Sequence, residues 1–324
     1  MKAVSIVAPN DMQLVDLEVP KIGPDEILIR SKAVGICHSD YDLLAGKYII
    51  PLQFPVIPGH EWSGEVAEVG SGVTTFKSGD RVVGVCVIGD DHFGFSISGA
   101  AAEYFVVRPD WLHKVPDEIS FARAALVEPF SCGYYAVRRA DNVDGSDTGL
   151  VFGAGPIGLG ATGALSARGA RVIMADPAEY RGELARQLGA DEVLDPTADD
   201  FADRVLEVTG GRGPSVVVEA SGRPAAMAAA IKVAGFAARL VNIGINVGDS
   251  AMCELGLIQS KGLQIRGTIG SPGVWPETLR FLARTGLDLT PMITQSFPLA
   301  QALDAYVAAK DTASNTKVQI VDAA

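Results

Sequence analysis

Two glycine-bordered segments near the start of the chain carry side chains that can ligate zinc. GICHSD contains Cys37 and GHEWSGEV contains His60, although either residue could instead be a core or surface residue. A catalytic zinc ion takes three protein ligands and keeps one position open. The best third donor is Glu128 in the apolar stretch LVEPFSCGYYAV, because a buried carboxylate without a partner is costly. The alternative for Glu128 is an exposed acid that caps a helix.

A third segment, GAGPIG, has the spacing of a dinucleotide-binding turn. It fits G-x-G-x-x-G, follows the apolar run LVF and opens a helix-like stretch. Its first glycine permits a tight turn, its second lets the backbone approach a pyrophosphate, and its third lets helix and strand pack closely. The predicted cofactor-binding residues of this segment are Gly153, Gly155, Pro156, Ile157 and Gly158.

Asp176 ends the next strand, VIMAD, 18 residues after Gly158. A carboxylate in that place can accept both ribose hydroxyls and would repel a 2′-phosphate, which favours NAD over NADP. Two alternatives remain open. Asp176 could be the N-cap of a helix that begins near Pro177, and Arg181 could bind a 2′-phosphate.

The predicted secondary structure that must position these residues changes along the chain. Up to about residue 115, short β-branched runs such as EILIRSKAVGI and DRVVGVCVIG alternate with turns and predict an all-β region. From about residue 148, buried strands alternate with Ala-rich helical stretches, which predicts a parallel sheet. The tail adds two helical stretches and a last strand, TKVQIVDA. With 324 residues, we expect an α/β protein of about two domains.

At this point the chain resembles a known family, the medium-chain zinc-dependent alcohol and polyol dehydrogenases. The string GHExxGxVxxVGxxVxxxxxGDRV is long and specific, and GICHSD, EPFSCGYYAVRRA, GAGPIGLGA and KVQI extend the resemblance over essentially the whole length. It implies a GroES-like catalytic domain at residues 1–129 and 270–324. A doubly wound Rossmann domain would span residues 130–269.

The resemblance also implies roles for residues around the metal. Cys37, His60 and Glu128 match the zinc ligands, and an acid at 128 in place of cysteine is similar to the sorbitol and threonine dehydrogenase branch. Glu61 matches a carboxylate that lies beside the metal and can ligate it. Asp40 matches a residue that hydrogen-bonds the zinc-bound imidazole. A further position, Lys317, matches a cation that faces Glu61, or else it is a solvated lysine of an edge strand.

Other positions match the proton path and the cleft of that family. Ser39 matches the hydroxyl that passes the alcohol proton outward, and Asp42 stands where the path often ends on a histidine. His38 matches a cation near the pyrophosphate, or it is an exposed bystander. Beside the loop DLLAGK and in GTIGSPGVWP, four side chains either line a cleft for a polyhydroxylated substrate or simply pack: Tyr41, Tyr48, Ser271 and Trp275.

One departure from the family concerns its second metal. Relatives often carry a four-cysteine structural zinc lobe after GDRV, whereas residues 81–103 offer Cys86 and His92, with only acids such as Asp90 nearby. A structural site needs a closed set of four ligands. We therefore expect one catalytic zinc ion per chain and no structural zinc, with Cys132 and Cys253 as small buried hydrophobic residues.

Composition limits the partners. The formal net charge of −12 comes without a Lys/Arg cluster, so nucleic acid is not expected. No segment approaches the roughly 20 apolar residues of a membrane helix, so no membrane partner is expected. The first residues lack the apolar core of a signal peptide, which predicts a cytoplasmic location. By family habit, the oligomer would be a homodimer or a homotetramer.

The expected function is hydride transfer between NAD(H) and the carbinol carbon of a small polyol, sugar or secondary alcohol. Zinc would act as a Lewis acid on the alcohol oxygen. Three alternatives stay open: a threonine-type dehydrogenase of 2-amino-3-hydroxy acids, a zinc-free NADPH quinone reductase, and a catalytically silent protein that senses NAD. The candidate ligands Cys37, His60 and Glu128 speak against the last two.

Overall fold

The computed structural model describes residues 1–47, 50–246 and 248–322. Its chain divides into two compact units. Unit 1 comprises Met1–Glu128, Trp275–Ala283 and the chain from Ile293 onward, and unit 2 comprises Pro129–Val274 and Arg284–Met292. Tyr48, one of the four predicted cleft residues, lies outside the described residues.

The strands of the described residues follow in chain order. They are β1 Lys2–Ala8, β2 Asp11–Asp16, β3 Ile27–Gly35, β4 Glu61–Val69, β5 Arg81–Gly84, β6 Val87–Ile88, β7 Asp91–His92, β8 Tyr104–Val107, β9 Leu112–Lys114, β10 Thr148–Phe152, β11 Arg171–Ala175, β12 Glu192–Leu194, β13 Val216–Glu219, β14 Arg239–Asn242, β15 Gln264–Gly267, β16 Ile293–Pro298 and β17 Lys317–Val321.

The helices are listed in the same order. They are α1 Ser39–Leu44, α2 Phe121–Ala124, α3 Val127–Arg139, α4 Pro156–Ser166, α5 Glu179–Gln187, α6 Phe201–Val208, α7 Pro224–Val233, α8 Gly256–Ser260, α9 Trp275–Thr285 and α10 Ala302–Lys310, with 3-10 turns at Pro109–Trp111, Thr290–Met292 and Leu299–Gln301. No helix in the described parts of the chain is both long enough and apolar enough to cross a membrane.

Unit 1 is built on a seven-stranded sheet. Its strand order is β16-β17-β3-β4-β5-β9, with β8 paired to β3. Only the β16–β17 pair is parallel among these. Strands β3 and β4 pair so that Gly35 lies opposite Glu61. Because Cys37 follows β3 and His60 precedes β4, this register brings the two candidate ligands to the same end of the sheet.

Unit 2 is built on six parallel strands in the order β12-β11-β10-β13-β14-β15. In order of appearance within the unit this is 3-2-1-4-5-6, the order of a doubly wound nucleotide-binding sheet. Strands β10 and β13 contain the apolar runs LVF and VVV, and almost every residue of the two strands is buried. Such runs form strands because helices cover both faces of a parallel sheet.

Two elements differ from the sequence prediction. The predicted loop after Cys37 is the short helix α1, whose first turn is closed by backbone bonds from Asp40 to Cys37 O and from Tyr41 to His38 O. Strand β16 was not predicted at all. Its sequence, ITQSFP, has no apolar alternation and contains a proline, which is tolerated because β16 lies at the edge of the sheet.

Candidate active site

The structure brings three side chains of unit 1 together as a candidate metal centre. Ligand atoms of Cys37, His60 and Glu61 all lie within 4.8 Å of one another, and no other such group of three occurs in the described residues. His60 and Glu61 are 5% and 1% exposed, while Cys37 is half-buried. Thiol, imidazole and carboxylate are the donors that zinc takes in proteins, so these residues fit that ion.

Asp40 supports this cluster from helix α1. Its carboxylate is fully buried, and Oδ2 accepts the N–H of Cys37 at 2.9 Å. Its Oδ1 lies 3.5 Å from His60 Nδ1, and neither of these two buried atoms has a hydrogen bond in the structure. Burial alone would lower the pKa of His60, but its interactions with Asp40 and Cys37 raise that pKa well above the usual value. With Nδ1 facing Asp40, Nε2 is the nitrogen available to a metal.

Glu61 pairs with Lys317, as the family resemblance predicts. Lys317 is 3% exposed, so it is not a solvated lysine. Its Nζ donates to the two carboxylate oxygens of Glu61 at 2.7 and 2.6 Å and to Ile36 O at 3.0 Å. A side chain at Gly35 would collide with Glu61 Oε2, which explains the glycine of GICHSD. The negative charge of Glu61 is therefore balanced inside the protein.

Glu128 lies beside the cluster but outside the 4.8 Å group. It occupies the first turn of α3 and is half-buried. Burial raises its pKa to about 7, nearby Glu61 adds to the rise, and His60 opposes it. A carboxyl that is held partly protonated in this way would ionise when a cation binds near it. The structure thus places two acids, rather than one, next to Cys37 and His60.

The predicted proton-path residues share helix α1. Ser39 and Asp42 are both half-buried and lie three residues apart, which places them on one face of the helix. His38 precedes the helix and is exposed, with its ring centroid 6.1 Å from that of Tyr41. The hydroxyl of Tyr41 donates to Tyr306 O at 2.5 Å, so this predicted cleft residue makes an internal contact.

The two other described cleft candidates also have internal partners. The hydroxyls of Ser271 and Ser131 lie 2.5 Å apart within unit 2. Trp275 is 5% exposed and stacks on His113 within unit 1, with ring centroids 6.0 Å apart. The role of either residue in lining a substrate cleft stays a prediction.

The segment at residues 81–103 contains strand β5 and the β6–β7 hairpin. Cys86 Sγ lies 3.7 Å from Phe93 O, and burial raises the pKa of this thiol to about 12. Asp91 accepts a hydrogen bond from Ser96 Oγ. Within the described residues, this segment holds no cluster of three metal-ligating side chains.

The two remaining cysteines differ in burial. Cys132 is buried, as predicted, with 6% of its surface exposed. Cys253 is only half-buried, because it lines a cavity in unit 2.

The glycine turn of unit 2 has the geometry that its sequence predicts. Gly153 has φ +90°, which favours glycine, and Gly155 is the N-cap of α4, with open space where a side chain would stand. A side chain at Gly158 would collide with the Gly153 carbonyl oxygen. Pro156 is the first residue of α4, where its missing N–H is not needed. The helix N-terminus therefore presents bare backbone N–H groups.

Asp176 stands next to this turn at the end of β11. Its Oδ2 accepts the N–H of Ala154 at 2.7 Å, and its Oδ1 accepts the N–H of Ala178 at 2.9 Å. Helix α5 begins at Glu179 with Ala178 as its N-cap, so Asp176 does not cap that helix. Arg181, in the first turn of α5, donates from Nε to the Tyr180 hydroxyl at 2.8 Å.

Sequence reasoning missed one acid of unit 2. Glu219 ends β13 and is 2% exposed, and its Oε1 accepts the backbone N–H of Ser221 at 2.7 Å. Burial raises its pKa, whereas the bonds from Ser221 and Gly222 lower it. Glu219 lines a cavity of about 320 Å³ at the carboxyl ends of β13 and β14, together with Asn242. Its position in the sequence, directly after the apolar run VVV, could have indicated an acid at the carboxyl end of a buried strand.

Comparison with known proteins gives consistent matches to both units. A family model described as "Alcohol dehydrogenase GroES-like domain" matches residues 23–117, and one described as "Zinc-binding dehydrogenase" matches residues 156–284. The chain is 32% identical to D-arabitol-phosphate dehydrogenase of Enterococcus avium over 94% of this chain and 93% of that protein. It is 32% identical to sorbitol dehydrogenase of Bacillus subtilis (strain 168), with 94% and 92% covered.

A solved structure supports the same relationship. The crystal structure of 2R,3R-butanediol dehydrogenase from Bacillus subtilis matches with a TM-score of 0.91 at 31% identity, and 99% of each chain is covered. The protein is thus a two-domain dehydrogenase of the zinc-binding class. Since the similarity to polyol and diol dehydrogenases extends over more than nine-tenths of its length, the chain belongs to the medium-chain zinc-dependent alcohol and polyol dehydrogenase family.

Three predictions from the sequence are therefore confirmed: the family, the combination of a GroES-like domain with a Rossmann domain, and the enzyme class. The protein is an oxidoreductase that acts on an alcohol or polyol. Zinc and a nicotinamide nucleotide are the cofactors of its family.

Proposed function

We propose that this enzyme oxidises a secondary carbinol of a small polyol or diol with NAD, and holds one zinc ion per chain at Cys37, His60 and Glu128. The observation that carries the proposal is the cluster of half-buried Cys37 with buried His60 and Glu61, where Asp40 faces the imidazole. Both oxygens of Glu61 bind Lys317, which favours Glu128 as the third ligand and Glu61 as a neighbouring charge.

The chain's own residues then have separate tasks. When bound, zinc supplies Lewis-acid polarisation of the alcohol oxygen. Asp40 orients the imidazole of His60 and keeps Nδ1 turned away from the metal. Ser39 accepts the alcohol proton, and Asp42, on the same face of α1, receives it next. His38 is exposed, as a residue that contacts the cofactor pyrophosphate must be before the cofactor binds.

The nucleotide site favours NAD over NADP. Gly153, Gly155, Pro156, Ile157 and Gly158 form a turn that can hold a pyrophosphate at the start of α4. Asp176 lies beside it, where its charge would repel a 2′-phosphate. Arg181 is the one candidate of this site that would favour NADP, and its bond to Tyr180 turns its Nε toward that hydroxyl.

The names of the relatives narrow the substrate class. Sorbitol, an arabitol phosphate and 2R,3R-butanediol all carry hydroxyl groups on adjacent carbons. We therefore propose a vicinal diol unit as the feature that the enzyme recognises.

We also propose that the enzyme forms a homodimer or homotetramer. Strand β15 is an edge strand, and exposed apolar side chains stand in and around it: Met252, Leu255, Ile265 and Ile269. Such a surface favours self-association. Light scattering on the purified protein measures the oligomer, and a monomer at micromolar concentration would exclude this proposal.

Elemental analysis combined with an activity panel tests the function. We expect one zinc per chain, removable with loss of NAD reduction, and the highest kcat/KM with a polyol or diol. The panel contains sorbitol, a polyol phosphate, 2,3-butanediol, a simple secondary alcohol and threonine. Two zinc ions per chain would show that residues 81–103 hold a structural site, and threonine as the best substrate would replace the proposal by the amino-acid branch.

A further inference from the structure

The segment at residues 93–101 packs directly on the backbone that carries His60. Ala100 donates its N–H to Gly59 O at 2.9 Å, and Ala101 donates to Pro58 O at 3.0 Å. A Cβ at Gly94 would lie 3.1 Å from His60 N, and one at Gly99 would lie 2.7 Å from Gly59 O. The two stretches of backbone are therefore in contact without intervening side chains.

From this segment, Phe95 covers the imidazole of His60. The two ring centroids are 4.8 Å apart with an interplanar angle of 38°. Phe95 is 1% exposed and packs in one apolar cluster with Ile6, Leu43 and Val56. Because Leu43 belongs to α1, this cluster also connects Phe95 to the helix that carries Asp40. His60 thus faces a carboxylate at Nδ1, and an aromatic ring packs against its imidazole.

Phe93, two residues earlier, provides an internal comparison. It is equally buried at 1% exposure. Its ring packs on Trp62 and Phe105, at centroid distances of 5.9 and 5.6 Å, in the main core of unit 1. The same segment therefore places Phe93 in the core of unit 1 and Phe95 against the candidate ligand His60.

We propose that Phe95 is a positioning residue for His60, and that the 93–101 segment holds this ring against the zinc ligand. An imidazole that packs against an aromatic ring loses little orientational freedom when zinc binds, so zinc should be released slowly. The inference rests on the proposed zinc site at Cys37 and His60.

The experiment measures the rate of zinc release from the loaded enzyme into an excess of a colorimetric chelator. Phe95→Leu and the volume-conserving Phe95→Met both remove the ring, and we expect release about tenfold faster in each. Phe95→Tyr keeps a ring and should restore slow release to within about twofold of the wild type. The matched control, Phe93→Leu, removes a ring of equal burial from the same segment and should also release zinc at the wild-type rate.

A second readout separates positioning from a loss of stability. In the Co²⁺-substituted enzyme, the visible d–d absorption reports the ligand geometry, and we expect it to change in Phe95→Leu and Phe95→Met but not in Phe93→Leu. Equal release rates in all four variants and the wild type would overturn the inference, as would faster release in Phe93→Leu to the same extent. A wild-type enzyme that holds no zinc, or a Cys37→Ser variant that retains it, would instead overturn the proposed zinc site itself.

Discussion

The metal cluster and the nucleotide turn are built in opposite ways. The cluster and the charged residues around it come from four separated stretches of unit 1: Cys37 to Asp40, His60 to Glu61, Glu128 and Lys317. The nucleotide turn is mostly backbone and comes from one continuous stretch between β10 and α5. The charges of Glu61 and Lys317 are buried and balance each other, so loss of one charge should destabilise the other. A substitution at the nucleotide turn should affect nucleotide binding and leave the metal cluster intact.

The largest effect is expected for Cys37→Ser. Loss of the thiolate should remove zinc and reduce turnover to the rate of the metal-free protein, because no other donor in the cluster can replace the soft ligand. Binding of NAD, measured by calorimetry, should stay within about twofold of the wild type, since the nucleotide turn lies in unit 2. Loss of NAD binding together with zinc would contradict the separation of the two sites.

Lys317→Met should destabilise the metal-free protein by about 3–5 kcal/mol, because it leaves the buried carboxylate of Glu61 without its partner. The measurement is chemical denaturation, followed by a probe in unit 1. A matched control is Lys114→Met, which breaks the Lys114–Asp80 pair at 2.7 Å; its lysine is 55% exposed. The control should cost about 1 kcal/mol or less. Equal losses in both variants would contradict the special role of burial.

Asp176→Ala should shift the ratio of kcat/KM for NAD to that for NADP by about 10- to 100-fold toward NADP, the effect of losing one charged hydrogen bond. If Arg181 then binds the 2′-phosphate, the double variant with Arg181→Ala should lose the gained NADP activity. An unchanged ratio in Asp176→Ala would count against Asp176 as the ribose ligand.

The smallest effect is expected for Glu128→Gln, and its sign should depend on the metal. Burial raises the pKa of Glu128 to about 7, so the stability that the protonated carboxyl contributes is lost as pH rises through this value. In metal-free protein the variant should therefore melt several degrees higher than the wild type at pH 8, and the difference should shrink toward pH 5. With zinc bound, the variant should melt lower at pH 8. A lower Tm at pH 8 in both forms would show that Glu128 is stabilised as an anion.

The two sites also differed in how far the sequence could predict them. The geometry of the glycine turn could be predicted from its spacing and its position after an apolar strand, since a contiguous βαβ stretch fixes its own geometry. That Asp176 binds the ribose stays a prediction. The metal ligands, by contrast, have no fixed spacing between Cys37, His60 and Glu128. Residue types suggested them, and only the family resemblance joined them into one set. Their assignment as ligands stays a prediction that metal analysis must test.

Other features could not be predicted because tertiary contacts decide them. From the sequence alone, Lys317 could be a cation that faces Glu61 or a solvated surface lysine. The pairing of β17 with β3 decides between them. Phe95 and Phe93 look alike in sequence, although they pack against different partners. Helix α1 is too short to show an apolar period, and its boundaries depend on local backbone hydrogen bonds and on Asp40.

The position of β17 in the sheet has a consequence for biosynthesis. Strand β17 pairs with β3, where Gln319 lies opposite Gly35, and it carries the lysine that neutralises Glu61. All of unit 2 is translated between these two strands. At roughly 5–20 residues per second, the ribosome needs tens of seconds to deliver Lys317 after Gly35. We expect unit 2 to fold on the ribosome before β17 is synthesised. During this time part of one edge of β3 is unpaired and Glu61 lacks the charge of Lys317.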